Sequence, residues 1–372
     1  HSLSDYRERL QSAINEGKGP DVFRIHNTWI PMFRSDLDPV PPDVYSAQSF
    51  AATFYPVASQ SLRVGTSYVA IPLEIDGLAM YINDDLLSRS GQSVPTSWED
   101  LRSVALAVSK CESEIPNTPC KRGDRILVSG ASLGTTDNVD HWQDIIGLLM
   151  LQNNVDPGHP AGKPLDDSFE YYTNFATRYY VWDSTQPNST SAFAAGRVAI
   201  YFGPSWRVFD IKKLNPNLKF SIHPVPQLPL DPARGEQPIA WATFWAEAVN
   251  KKSPNAKQAW ELLKYLSSKE VMVKLFESQK ASGRDFGEPY SRQDLADSLK
   301  SDPLLAPFIN QAPNYRSRYL ASFTKDGKNG INTRLSDAFA AVISKVESSD
   351  TLSKKVDEIL GTYGLAAPLP PR

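Results

Sequence analysis

Cysteine is nearly missing from this sequence: Cys111 and Cys120 are the two among 372 residues. There is no Cys-x-x-Cys pair, and the five histidines stand scattered at positions 1, 26, 141, 159 and 223. No metal site is therefore expected. No apolar run approaches the roughly 20 residues that span a bilayer. Neither sign of charge dominates, since 39 basic residues against 42 acidic give −3. That balance excludes nucleic-acid binding through bulk positive charge and argues against an acidic disordered tail. Gly-x-Gly-x-x-Gly, P-loop and His-Glu-x-x-His motifs are all absent. There is no internal repeat, and only Ala367–Arg372 reads as a tail. The opening residues His1-Ser2-Leu3-Ser4-Asp5 are already polar, so no signal peptide is expected within the chain.

What is present fits a globular protein. The length suggests two or three domains of about 150 residues each, and 41% hydrophobic with 22% charged residues is ordinary. Eight Trp, 15 Tyr and 29 Pro suit a rigid, loop-rich molecule with aromatic surfaces. The two cysteines lie nine positions apart in Cys-Glu-Ser-Glu-Ile-Pro-Asn-Thr-Pro-Cys. Such a loop can bring its ends together, so a disulfide and an extracytoplasmic setting are expected, two free thiols being the alternative.

Helices alternate with short strands, which favours an α/β class. Helical spacing predicts helices over 5–16, 84–88, 142–151, 169–180, 256–267, 269–277, 332–346 and 352–360. Thr96 followed by Glu99 reads as a capping box opening a helix to about 109. Strands are predicted over 21–25, 68–72, 78–82, 125–128, 198–202, 220–223 and 241–249.

Four stretches carry a resemblance. They are Gly17-Lys18-Gly19-Pro20-Asp21-Val22; Ile71 to Leu87 with Gly91 and Pro95 to Leu101; Ala192 to Ile200 ending in Gly203-Pro204-Ser205-Trp206; and Asn250 to Ser253 with the helix from Ala256 and Ser267-Ser268-Lys269-Glu270. In this order they resemble the extracellular solute-binding proteins of ABC importers, the sugar-binding family that contains maltose-binding protein. The likeness implies an α/β, two-lobed periplasmic-binding-protein-like type II fold with a ligand cleft between the lobes. The family's two strands and helix that normally precede the helix at Asp5 are absent here, so a first lobe lacking its usual N-terminal strands is expected. The first lobe is expected at 1–110 and 239–310, the second at 127–238 and 311–372, with 111–126 and the stretch near Pro238 as hinge. The resemblance further implies a monomer at the periplasm or cell surface, free or lipid-anchored, peripheral to the membrane. It implies no cofactor, no catalysis, and delivery of the ligand to the transmembrane subunits of an ABC permease.

A sugar site needs flat aromatic faces for the pyranose C–H groups and fixed polar groups for its hydroxyls. Asn27, Thr28 and Trp29 follow a predicted strand whose end would face the cleft; alternatively Trp29 packs on the next helix. Asp76 stands where the family often has an acidic ligand contact, with Glu74 beside it; both could instead pair with Arg or Lys. Trp206 falls where the family stacks an aromatic on the ligand, or else closes the second lobe's core. Trp241 is read as facing the cleft and Trp245 as core. Asp140, with Asn138, His141 and Trp142, lies on a loop entering an apolar helix. Asn332 and Thr333 start a helix where the family often contacts ligand.

Two other classes of function are open to the sequence. Glu74 and Asp76 as glycosidase carboxylates sit too close on one loop to flank a scissile bond. A non-sugar solute (polyol, phosphorylated sugar, polyamine or peptide) or a sensor role would keep the fold. An anion would need clustered cations, and Arg24, Arg207 and Arg334 are the nearest candidates. Asn188-Ser189-Thr190 matches a glycosylation acceptor but reads as an exposed loop.

Overall fold

The computed structural model describes residues 5–112, 118–345 and 347–365. The chain forms two compact units. The first comprises His1–Gly77, Ala242–Asp337 and Val356–Arg372; the second comprises Leu78–Trp241 and Ala338–Lys355.

In the first unit, helix Tyr6–Asn15 buries Leu10 and Ile14. It leads through Gly17, at φ +72°, into strand Val22–His26. That strand pairs antiparallel with Trp245–Val249, from Val22 opposite Val249 to His26 opposite Trp245. Helices Ala47–Thr53, Pro56–Ser61, Ala256–Leu266 and Lys269–Ala281 complete most of the unit. Phe23, Ile25, Trp29, Phe33, Phe50, Trp260 and Leu263 are among its buried apolar side chains. The expected strand over 68–72 contracts to Ser67–Tyr68: beyond it Ile71 makes a lone bridge to Glu247, and Pro72 has no N–H to continue a ladder.

The second unit is built on a five-stranded mixed sheet in the order Lys110–Glu112, Arg125–Ala131, Val198–Gly203, Ala79–Asn83, Phe220–His223. Only the pair Arg125–Ala131 with Val198–Gly203 is parallel. Val198–Gly203 and Ala79–Asn83 are buried along their whole length, which is why they read as unbroken apolar runs rather than alternating ones. Helix Trp98–Val108 is capped by Ser97, whose hydroxyl accepts from Asp100 N while Asp100 reaches back to Ser97 N. The capping box thus lies one residue later than the Thr96/Glu99 pair expected. Cys111 and Cys120 form the expected disulfide, Cα to Cα 5.5 Å, at the sheet's edge strand.

The boundaries differ from those expected. Residues 78–110 belong to the second unit because Ala79–Asn83 pairs on both sides with that unit's strands. Residues 311–337 and 356–372 belong to the first, where Asn332 bonds Thr28 and the Tyr363 carbonyl accepts from Arg34. The chain crosses between Gly77 and Leu78, Trp241 and Ala242, Asp337 and Ala338, and Lys355 and Val356; in the expected hinge 111–126, Cys111 of edge strand Lys110–Glu112 is instead bonded to Cys120. The strand expected over 241–249 breaks at the second crossing: Ala242 N turns to Arg316 O and Thr243 N to Asp76 O. The expected tail Ala367–Arg372 and residues 113–117 of the expected hinge lie outside the described residues. No helix among the described residues is long and apolar enough to cross a membrane.

Candidate functional site

In the second unit, buried strand Val198–Gly203 ends in Pro204-Ser205-Trp206 and turns directly into helix Arg207–Leu214. The turn is fixed by Tyr81, whose hydroxyl donates to Pro204 O at 2.7 Å. Trp206 emerges 36% exposed. Its ring lies over the Arg207 guanidinium, 4.3 Å from centroid to Cζ, and meets the His141 ring edge-on at 5.8 Å. A cation under one face of an indole anchors it electrostatically. Arg207 is itself buried; its Nε donates to His141 Nε2 at 2.9 Å and its Nη1 to Asp210 at 2.9 Å. Burial holds His141 below the ordinary histidine range, and the nearby Arg207 charge acts in the same sense, against an opposing hydrogen bond with Asp144.

Asp140 enters this region from the loop before helix Trp142–Gln152. Its Oδ2 accepts from Thr190 N at 3.0 Å and Thr190 Oγ1 at 2.5 Å. Asn188 caps the helix that begins at Ser189 by accepting from Ser191 N. Its local role is structural. Trp241 departs from expectation. It is wholly buried, its indole donates to Asp144 Oδ1 at 2.9 Å, and its ring lies on Gly147. A side chain there would meet the ring at 2.4 Å, so only glycine admits this contact. Trp241 is core, with no face to offer a ligand.

In the first unit, the expected ligand residues turn inward. Asn332 donates to Thr28 Oγ1 at 2.7 Å and to Asp326 at 3.2 Å, while its carbonyl accepts from Ala321 N at 3.0 Å. Asp326, fully buried, also takes Asn332 N, Thr333 N and Thr333 Oγ1. Thr28 N donates to His26 Nδ1, which leaves the His26 proton on Nε2, facing Thr243 Oγ1 at 3.0 Å. Burial pushes His26 down to about 3. Asn27 donates to Ser317 at 2.8 Å and accepts from Phe244 N. Trp29 is 0% exposed, 5.0 Å from the Trp245 ring and 6.3 Å from Phe33. Asn27, Thr28, Trp29 and Asn332, expected as ligand contacts, thus lie buried within the first unit, and the Thr333 hydroxyl donates to Asp326. Trp245, read as core, is half-buried.

Glu74 and Asp76 are also buried. Glu74 Oε1 accepts Trp245 N at 2.5 Å, and Asp76 Oδ1 accepts Gly77 N at 2.7 Å. Burial raises Glu74 well above the ordinary carboxylate range; Arg24 opposes this, while Glu288 and Asp76 add to it. Sequence reasoning missed Phe323, which is 43% exposed and held at φ +58°. A bulky residue rarely adopts that conformation. Its sequence signal was faint, one aromatic in a polar loop. The His141-x-x-Asp144 spacing was a stronger signal left unused.

The three arginines considered for an anion are occupied within their own units. Arg24 bonds Glu247 at 3.2 Å and Glu288 at 2.9 Å, Arg207 bonds His141 and Asp210, and Arg334 donates to Thr362 at 2.8 Å. Among the described residues no cluster of His, Cys, Asp or Glu could hold a metal ion. A groove of about 660 Å³ lies on the second unit between helix Lys163–Thr177 and residues 342–349; none of the expected ligand residues lines it.

The profile of a known family, described as bacterial extracellular solute-binding protein, matches residues 2–305. The chain belongs to this family. This solute-binding chain is 21% identical over 308 residues to a maltotriose-binding protein of Pyrococcus abyssi, covering 82% of this chain and 62% of that protein. It is 22% identical over 348 residues to a probable ABC transporter-binding protein of Deinococcus radiodurans, covering 92% and 79%. Among solved structures, the sugar-binding protein MalE of Xanthomonas citri matches with a TM-score of 0.71 at 19% identity, over 97% of this chain and 89% of that one. A cyclo/maltodextrin-binding protein complexed with maltotetraose matches with a TM-score of 0.70 at 17% identity, over 97% and 87%. The α/β fold expected from sequence is the fold of these proteins.

Proposed function

We propose that this solute-binding chain captures a neutral sugar or oligosaccharide outside the cytoplasm and hands it, unaltered, to the transmembrane subunits of an ABC importer. The observation that carries this reading is Trp206, a half-exposed indole backed by a buried guanidinium. An exposed aromatic ring on a rigid support suits the C–H face of a pyranose. Asp140, on the same unit and with one carboxylate oxygen already engaged, supplies an acceptor for sugar hydroxyls, which bond strongly to carboxylates. The sugar-binding relatives support the choice of ligand, and the internal pairing of Arg24, Arg207 and Arg334 speaks against an anion. Glycoside cleavage has no support in Glu74 and Asp76, two residues apart, both buried and bonded to the backbone N–H groups of Trp245 and Gly77.

A thermal-shift screen against mono-, di- and oligosaccharides, polyols and phosphorylated sugars tests the proposal, because a ligand of the native state alone raises its melting temperature. A shift with a neutral sugar and no release of reducing ends is expected. A shift only with a polyol or a phosphorylated sugar, or reducing ends released from an oligosaccharide, would replace the reading.

A further inference from the structure

The guanidinium beneath Trp206 is tied to a chain of groups that runs into the second unit. Arginine only donates hydrogen bonds. Its 2.9 Å bond from Nε therefore makes His141 Nε2 the acceptor. The proton of the neutral imidazole then sits on Nδ1 and faces Asp144 Oδ2 at 3.3 Å. Asp144 Oδ1 accepts from Trp241 Nε1 at 2.9 Å. Donation thus runs from Arg207 to His141 to Asp144, with Trp241 closing the far end from the other side. His141, Asp144 and Trp241 are each at most 1% exposed, so water does not compete for these bonds. The cation of Arg207 and the anion of Asp144 are joined through a neutral ring, and Asp210 holds Nη1 at 2.9 Å. Trp241 is the last residue of the unit's first segment, Leu78–Trp241, and its seat on bare Gly147 fixes where its indole N–H points.

We propose that Trp241, Asp144 and His141 are positioning residues that hold the Arg207 guanidinium, and through it the Trp206 ring, in the orientation that presents the indole face to a sugar. The sugar half of this statement rests on the function proposed above; the orientation of Trp206 is decided separately. The relay has one weak point. A proton added to His141 would occupy Nε2, the atom that accepts from Arg207, and place two donors against each other. The charged groups facing His141 are Asp144, Arg207 and Asp140, and the rings of Tyr201 and Trp206 lie against it. Acid therefore releases Trp206 without unseating Trp241.

The test uses the full chain labelled with 5-fluorotryptophan, with the Trp206 fluorine resonance identified by its loss in Trp206→Phe. Trp241→Phe keeps the buried ring and removes the donor. The Trp206 resonance is expected to move in this variant and in Asp144→Asn, and sugar affinity to fall roughly five- to tenfold, the size of one hydrogen bond. A Trp206 resonance and an affinity both unchanged, with only the melting temperature lowered, would reduce the relay to packing and overturn the inference. If the variants fail to fold, an acid titration of the wild-type protein decides. The Trp206 resonance is expected to move with a midpoint below the ordinary histidine range. No movement before unfolding overturns the relay. Should the wild type bind no sugar in the screen, the proposed function fails, while the resonance still accepts or rejects the relay.

Discussion

The two units spend their polar residues differently. In the first, Asp326 gathers Asn332 and Thr333, Asn332 reaches Thr28, and Thr28 reaches His26; the chain of bonds turns inward and ends in the core. In the second, the chain through Trp241, Asp144 and His141 ends at Arg207, under an indole that water can reach. Both networks use buried histidine, a carboxylate and amide or indole donors, and both satisfy the rule that buried polar groups are paired. The contrast teaches that a polar residue at a strand end is not thereby a ligand contact. What separates support from site is whether the last group of the network keeps a face in solvent.

The sharpest way to break this comparison is to truncate one tryptophan from each unit. Trp29→Ala is expected to cost about 3–5 kcal/mol of stability, as for other buried large-to-small changes, whereas Trp206→Ala should stay within about 0.5 kcal/mol, as surface substitutions do. Denaturant melts of the two variants check this, and equal losses would put Trp206 in the core. Next in size is Asp326→Ala. It leaves several buried donors unpaired and is expected to cost about 3 kcal/mol; a thermal melt unchanged within error would dissolve the inward network. Third is the disulfide. Replacing both Cys111 and Cys120 by serine should cost about 2–3 kcal/mol by loop-closure entropy and leave sugar affinity unchanged, because the bridge sits at the sheet edge two strands from Val198–Gly203. A loss of affinity in calorimetry would tie the edge to the site.

The smallest effect is a pH dependence. Burial raises Glu74 and Glu247 above the ordinary carboxylate value of 4.5. A raised carboxyl holds its proton in the folded state and gives it up on unfolding, so its contribution to stability is present below that value and lost as pH rises through the folded value. Glu74→Gln keeps the acceptor for Trp245 N and removes the titration. Relative to wild type, the variant is expected to gain about 1 kcal/mol between pH 5 and pH 8. A difference that stays flat across this range would deny the buried charge. Histidine works in the opposite sense: His26, held down to about 3 by burial, contributes stability above 6.5 that is lost as pH falls toward 3.

Much of the frame was legible because its signals are local. Val198–Gly203 and Ile145–Leu151 are apolar runs, the short spacing of Cys111 and Cys120 allows their bridge, and Gly203-Pro204 announces the turn that lifts Trp206 out. The fate of Asn27, Thr28 and Asn332 was not legible, because their partners are remote: Thr28 and Asn332 are 304 positions apart, Asn27 and Ser317 290. Nor was the burial of Trp241, which depends on Gly147 and on Asp144, 97 positions earlier. An isolated polar or aromatic residue in sequence states what bonds it can make, not which are already made. The unit boundaries failed for the same reason. Ala79–Asn83 looks like a continuation of the first lobe until its two pairing strands, more than a hundred residues downstream, are known.

The central claim is that a half-exposed Trp206, held by a buried arginine, is where this chain meets a sugar. Titration calorimetry of wild type and Trp206→Ala with the sugar that raises the melting temperature most tests it directly. The account expects wild-type binding that weakens by about 1–3 kcal/mol in the variant, from lost stacking area, with the melting temperature of the free protein kept. Equal affinity in the two proteins would contradict it.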